Sequence, residues 1–230
     1  MMDGIKVLDH GYVRLFEHMG NDLSIVRNAR VSYDAAWRTG DNAANDERLI
    51  RYLMKNHHTT PFEAVTFTFD IKAPIFVVRQ WHRHRTWSYN EVSARYTALP
   101  EEYYIPRPCD ITTQSTTNKQ ARTTEQHADA DAIEICLRGH CQQAFRLYQD
   151  LLNAHVPREL ARTVLPLATY THFFGTVDLH NLFHFLRLRL HPHAQYEIRE
   201  YAQALLTLIA PIVPVAVAAF TETFDGPNEK

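Results

Sequence analysis

A chain of 230 residues with 45% hydrophobic and 22% charged residues has an ordinary globular composition, which excludes wholesale disorder and fibrous architectures. Its formal net charge of -2 lacks the basic excess of a nucleic-acid coat, so any anion it binds must meet a local basic cluster. No apolar run approaches the roughly 20 residues that span a bilayer, and Met1 to His10 lacks a secretion-signal pattern, so a cytoplasmic protein is expected.

Ile5 to His18 holds two short alternating stretches separated by His10-Gly11, which predicts an edge hairpin. Helical spacing follows over Asp22 to Tyr33 and Asp46 to Asn56, with the turn-rich stretch Arg38 to Ala44 between them. Val65, Phe67 and Phe69 alternate with polar neighbours, the period of a half-buried strand. Pro74 suits the first residue of a helix running from Ile75 to Arg85. Thr86 to Asn90 then reads as a loop, and Ile105 to Pro108 as an extended segment.

Thr112 to Thr124 is rich in Thr, Gln and Ser and reads as a surface loop. Thr124 to His155 has the pattern of one long helix with a weak point at Gly139. Pro157 to Val164 predicts a short helix, and Thr169 to Val177 a strand. Asp178 can cap a helix from Leu179 to Leu190. Ala194 to Phe224 is helical and apolar, broken at Pro211 and Pro214, and such an end suits core or subunit contact. Without an internal repeat or a linker, residues 1–230 are expected to form a single α+β domain, a small antiparallel sheet with a helical portion.

Cys109, Cys136 and Cys141 are odd in number and have no C-x-x-C spacing, so reduced thiols are expected. The densest chemistry lies in Arg83-His84-Arg85 and the run Ser88 to Arg95. Cations at a helix end complement the helix dipole and could be only that. The hydroxyl, amide, carboxylate and guanidinium groups that follow can wrap a polar ligand, and several arginine forks suit a nucleotide phosphate.

Arg83-His84-Arg85, seven residues and then Ser93, extended by Asn90, Glu91, Arg95 and Tyr96, resembles the diagnostic motif of the flavin-dependent thymidylate synthases. Thr60-Pro61-Phe62-Glu63, Ala73 to Phe76, Arg79-Gln80-Trp81, Pro157-Arg158-Glu159, Leu165-Pro166 and Ala194 to Ile198 resemble the family in order and spacing. The resemblance implies a homotetramer whose shared active sites bind flavin adenine dinucleotide (FAD) and convert deoxyuridine monophosphate (dUMP) to thymidylate (dTMP). It implies 5,10-methylenetetrahydrofolate as carbon donor and NADPH as reductant of the flavin, without an attacking cysteine.

Carried over by position, Thr60, Arg83, His84, Arg85, Glu91, Asp178, His180 and His184 would contact the flavin. Gln80, Arg83, Glu91, Ser93, Ala94, Arg95, Arg162 and Arg189 would hold the nucleotide, with Arg189 against the uracil ring as the activating charge. Ser93 invites a reading as nucleophile, but a serine needs an activating base, and the resemblance favours a binding contact. Asp178, His180 and His184 depart from residues common in the family, as does Ala64, and His58 resembles a family histidine near the flavin ring.

Three other readings compete, the nearest keeping the fold and flavin but transferring a different one-carbon unit to a pyrimidine nucleotide. His180 and His184 have metal-ligand spacing on a helix, yet Asn181 stands where a zinc protease needs Glu, so no metal is expected. Arginines interleaved with Trp81, Trp87, Tyr89 and Tyr96 could stack nucleic-acid bases, but the net charge opposes it. With seven glycines and no G-x-G-x-x-G, a Rossmann phosphate loop is not expected.

Overall fold

The structure, a computed structural model, describes residues 4–224. Five antiparallel strands form the main sheet in the order β1-β2-β3-β7-β4, with β1 at Ile5–Val7, β2 at Gly11–Met19, β3 at Thr66–Pro74, β4 at Ser88–Glu91 and β7 at Tyr170–Asp178. The alternation read in Val65 to Phe69 sets β3: Phe67, Phe69 and Ile71 are fully buried on one face, and Phe173 and Val177 of β7 join them. Burying each such side chain contributes about 1.5–3 kcal/mol, enough to fix which face points inward.

That face is covered by α1 (Asp22–Val31), α2 (Ala43–Lys55), α3 (Ile75–Trp81), α6 (Leu179–Arg189), α7 (Tyr196–Ile209) and α8 (Pro214–Thr223), all contributing to one apolar core. Asn21 caps α1 with a capping box, and Asn42 caps α2 one turn earlier than the apolar pattern indicated. Asp178 caps α6 as expected, its side chain accepting from the Asn181 backbone N–H at 2.9 Å. The break between α7 and α8 falls at 210–213 beside the two prolines. A smaller cluster of Phe145, Tyr148 and Ala161 joins α4 (Ala130–Asn153) to α5 (Arg158–Ala161).

Four elements differ from the sequence reading. Pro74 is the last residue of β3 and the cap of α3 rather than its first residue, and α3 stops at Trp81 instead of Arg85. The Tyr89 hydroxyl lies 3.0 Å from the carbonyls of both Trp81 and His84, folding 82–87 into a turn that returns the chain to the sheet. The stretch read as a loop at Thr86 to Asn90 instead supplies β4, which pairs with β7 from Ser88↔Thr176 to Glu91↔Phe173. Only Tyr89 of β4 turns inward, so a polar edge strand carries almost no apolar period.

Thr112–Gln114 and Arg122–Gln126 form a separate two-stranded ribbon, β5 and β6, where an irregular loop was expected. The Gln114 amide folds back on the ribbon, donating to the Ala121 carbonyl at 2.9 Å, a satisfaction that propensity does not reveal. Helix α4 runs unbroken through Gly139, where a Cβ would meet nothing within 4 Å. Cys109 and Cys136 are exposed and Cys141 is buried, all as free thiols.

Gly11 is the opposite case. A Cβ there would lie 2.0 Å from the Tyr201 hydroxyl, 2.6 Å from the Val7 carbonyl and 2.9 Å from the Lys72 carbonyl. Gly11→Ala is therefore expected to lose about 1–3 kcal/mol through overpacking, whereas Gly139→Ala gains roughly 0.5–1 kcal/mol of helix propensity. Urea unfolding midpoints of the two variants, moving in opposite directions, check this.

Candidate functional site

The C-terminal ends of α3 and α6 meet at the edge of the core. Trp81 is fully buried and packs against Phe173 of β7, Phe185 of α6 and Tyr201 of α7, with ring centroids 5.4, 4.9 and 5.9 Å away. Trp87, at the far end of the turn, packs on Trp81 and Phe185. The turn between them is thus pinned at both ends by indoles, and it carries Arg83, His84 and Arg85.

Arg83, His84, Arg85, Thr86, His184, Leu188 and Arg189 line a groove of about 430 Å³. The Arg83 and Arg85 side chains are exposed and form no ion pair among the described residues. Unpaired forks beside the apolar wall of Leu188 and two imidazoles suit a ligand bearing both phosphate and an aromatic ring.

His84 is buried. Arg189 Nε donates to His84 Nε2 at 3.0 Å, and Arg189 Nη2 donates to the Gln80 carbonyl at 3.2 Å. Burial, the Arg189 charge and His184 together push the His84 imidazole down to about 4, so it is neutral at physiological pH. Burial also lowers Arg189 from its ordinary value. The Gln80 side-chain amide donates to the Gln195 amide oxygen, which ties α3 to the segment before α7.

A smaller cavity of about 110 Å³ adjoins through His184 and is also lined by His57, Thr59 and His180. Thr60 stands exposed next to Thr59 at the start of the short turn Thr60–Ala64. Asp178 is engaged in capping α6, bonding both the backbone and the side-chain amide of Asn181. His57 lines the cavity, whereas His58 lies edge-on against Tyr52 at 5.8 Å. No three His, Cys, Asp or Glu side chains converge as a metal-holding group among the described residues.

The rest of the motif faces elsewhere. Glu91, Ser93, Ala94 and Arg162 line a second groove of about 370 Å³ with Leu165, Pro166 and Thr171. Glu91 Oε1 accepts from the Thr171 hydroxyl at 2.6 Å. The Ser93 hydroxyl accepts from the Arg95 backbone N–H at 3.3 Å and has no imidazole, lysine or carboxylate partner among the described residues, so no base activates it. Arg95 reaches Glu159 at 3.6 Å with both side chains more than half exposed, a contact worth little.

Within one chain nine of the predicted residues fall into two grooves, with Arg83, His84, Arg85, His184 and Arg189 in one and Glu91, Ser93, Ala94 and Arg162 in the other, while Thr60, Gln80, Asp178, His180 and Arg95 line neither. Sequence reasoning missed Gln195 and Thr171. Gln195 lies inside the stretch Ala194 to Ile198 that was already distinctive, but Thr171 looked like any strand threonine.

A family model described as "Thymidylate synthase complementing protein" matches residues 14–215. Flavin-dependent thymidylate synthase from Thermus thermophilus is 51% identical over 218 residues, spanning 95% of this chain and 78% of the relative. The protein of the same name from Treponema denticola is 48% identical over 217 residues, spanning 94% and 80%. A crystal structure of a UMP/dUMP methylase, PolB from Streptomyces cacaoi bound with 5-Br dUMP, superposes with a TM-score of 0.85 at 35% identity, covering 95% of this chain and 97% of that one.

The His84 environment sets a pH dependence. Its ordinary value is 6.5 and its folded value about 4, so between these the unfolded chain binds a proton that the folded chain does not. Stability is expected to fall as pH drops from 6.5 towards 4. In His84→Gln, which does not titrate, the stability deficit relative to wild type should be smaller at about pH 5 than at about pH 7. Urea unfolding at both values measures it, and an equal deficit contradicts the neutral buried imidazole.

Proposed function

This chain belongs to the flavin-dependent thymidylate synthase family, and from that membership we propose that it methylates dUMP to dTMP with 5,10-methylenetetrahydrofolate as carbon donor and NADPH as reductant. The fold and its methylase neighbour support a nucleotide substrate. The observation that carries the reading is the Arg189 guanidinium, half-buried, without a carboxylate partner among the described residues, and held by two neutral acceptors at an arginine-lined groove.

Thr60, Arg83, His84, Arg85, Glu91, Asp178, His180 and His184 are assigned to FAD. The guanidinium groups of Arg83 and Arg85, unpaired among the described residues, and the two cavities that share His184 suit its phosphates and ring. When bound and reduced, the flavin supplies the hydride that completes the methyl group. Gln80, Arg83, Glu91, Ser93, Ala94, Arg95, Arg162 and Arg189 are assigned to dUMP, and Arg162 and Arg95 supply forks for its phosphate.

Beside the uracil N3–H, the fixed charge of Arg189 favours the deprotonated ring, and each unit of lowered pKa is worth about 1.4 kcal/mol. The ring carbon becomes more electron-rich, which is what attack on a one-carbon donor requires. Ser93 binds and does not attack, and no cysteine lines either groove.

The residues of the two grooves are proposed to complete one site across subunits of a homotetramer, each subunit a single domain over 1–230. No helix among the described residues is long and apolar enough to cross a membrane, which is consistent with the cytoplasmic location we assign, and we assign no nucleic-acid partner.

Anaerobic incubation of the purified protein with FAD, NADPH, methylenetetrahydrofolate and dUMP is expected to yield dTMP. Bound flavin with no dTMP formed overturns the assignment. Arg189→Lys is expected to lower kcat by about 100-fold or more, the scale of losing a preorganised charge, while the dissociation constant for dUMP moves by less than about fivefold, roughly 1 kcal/mol. Retention of full turnover removes Arg189 from the activating role.

A further inference from the structure

Arginines that act by charge are usually held by carboxylates, and Arg189 is not. Among the described residues it forms no ion pair, and its two fixed contacts are the His84 ring nitrogen at 3.0 Å and the Gln80 carbonyl at 3.2 Å. A carboxylate would orient the fork equally well but oppose its field, since a unit charge about 4 Å away contributes roughly 4 kcal/mol at an effective dielectric of 20. A neutral lone pair orients without cancelling.

We propose that His84 is a positioning residue for Arg189: its unprotonated Nε2 accepts from the guanidinium Nε–H and fixes the fork while leaving its charge uncompensated towards the substrate. The inference rests on the reading of Arg189 given above.

The geometry requires the Nδ1–H tautomer, because an imidazolium would set donor against donor. The titratable side chains that face His84 oppose protonation. Arg189 and His184 stand over it from α6, with the two rings of the histidine pair 6.0 Å apart, and Arg83 and Arg85 flank it in the chain. The Phe185 ring lies 4.7 Å from the imidazole and excludes water from that side. The backbone of His84 is anchored independently, its carbonyl 3.0 Å from the Tyr89 hydroxyl, so a change of side chain at 84 leaves the turn its own tether.

Two substitutions separate orientation from packing. His84→Gln can present an amide oxygen to the Arg189 Nε–H, whereas His84→Leu fills space and accepts nothing. Nuclear magnetic resonance of arginine Nε–H groups in flavin-free protein reads the contact without activity. The Arg189 signal is expected to be protected in wild type and in His84→Gln and lost in His84→Leu.

In the flavin-loaded enzyme, His84→Gln is expected to stay within about tenfold of wild-type kcat, and His84→Leu to lose about 100-fold with KM for dUMP within about threefold. His84→Leu combined with Arg189→Lys should be no slower than Arg189→Lys alone, since the two act as one unit.

An Arg189 signal that survives His84→Leu, a His84→Gln enzyme as slow as His84→Leu, or losses that multiply in the double variant each overturn the proposal. Should His84→Leu also release flavin, the signal in flavin-free protein decides. A wild-type enzyme that makes no dTMP defeats the proposed function itself, whatever the resonance shows. Turnover in the wild type with a signal indifferent to residue 84 defeats this inference alone.

Discussion

The nine-residue antiparallel ladder between β3 and β7, from Thr66↔Asp178 to Pro74↔Tyr170, sets the position of everything chemical in this chain. Helix α3 leaves from the Pro74 end and α6 from the Asp178 end, and both lie over the same buried face. Eight strand spacings cover roughly 27 Å. Helices of seven and eleven residues add to roughly 27 Å, so their C-terminal ends must meet about where the Arg189 guanidinium contacts the Gln80 carbonyl. A slip of one residue in that ladder would turn Phe67, Phe69 and Ile71 outward and separate the two helix ends together.

Two converging helix C-termini also explain why arginines gather there. Each end presents partial negative charge on its unsatisfied carbonyls, which favours cations in the last turn. Arg187 and Arg189 occupy the last turn of α6, and Arg83 and Arg85 follow α3 directly. The dipoles offset part of the mutual repulsion, while Trp81, Trp87 and Phe185 provide the apolar footing that keeps the turn from collapsing onto the sheet.

The elements legible in the sequence were those whose signal is local. Alternation in Val65 to Phe69, the Asp178 cap and the helical periods of α2, α6 and α7 all survive because burial or a cap lies within a few residues of the pattern. The early end of α3 was not legible, since it depends on a tyrosine eight residues beyond Trp81 reaching back to two carbonyls. Strand β4 was hidden for the same reason, being defined by its pairing with β7 and not by its own composition.

At the site, the motif supplied the candidate residues, but contiguity in sequence suggested one cluster where the chain makes two grooves. Glu91 ends β4, which carries the motif from Arg85 at the helix ends to the start of β7, where Thr171 meets Glu91.

How a protein of net charge -2 maintains a cationic site follows from where its carboxylates are placed. Away from the grooves, some arginines are paired, among them Arg30 with Asp46 at 2.5 Å, Arg107 with Asp110 at 2.7 Å and Arg122 with Glu197 at 2.9 Å. Around the grooves Arg83, Arg85, Arg162 and Arg189 have no such partner among the described residues. Arg95 is intermediate, its contact with Glu159 long and solvent-screened. The balance of charge over the whole chain therefore says little about the field in the grooves. That field is set by which arginines the fold leaves unpaired, and at Arg189 it is oriented by an imidazole and a carbonyl that carry no net charge of their own.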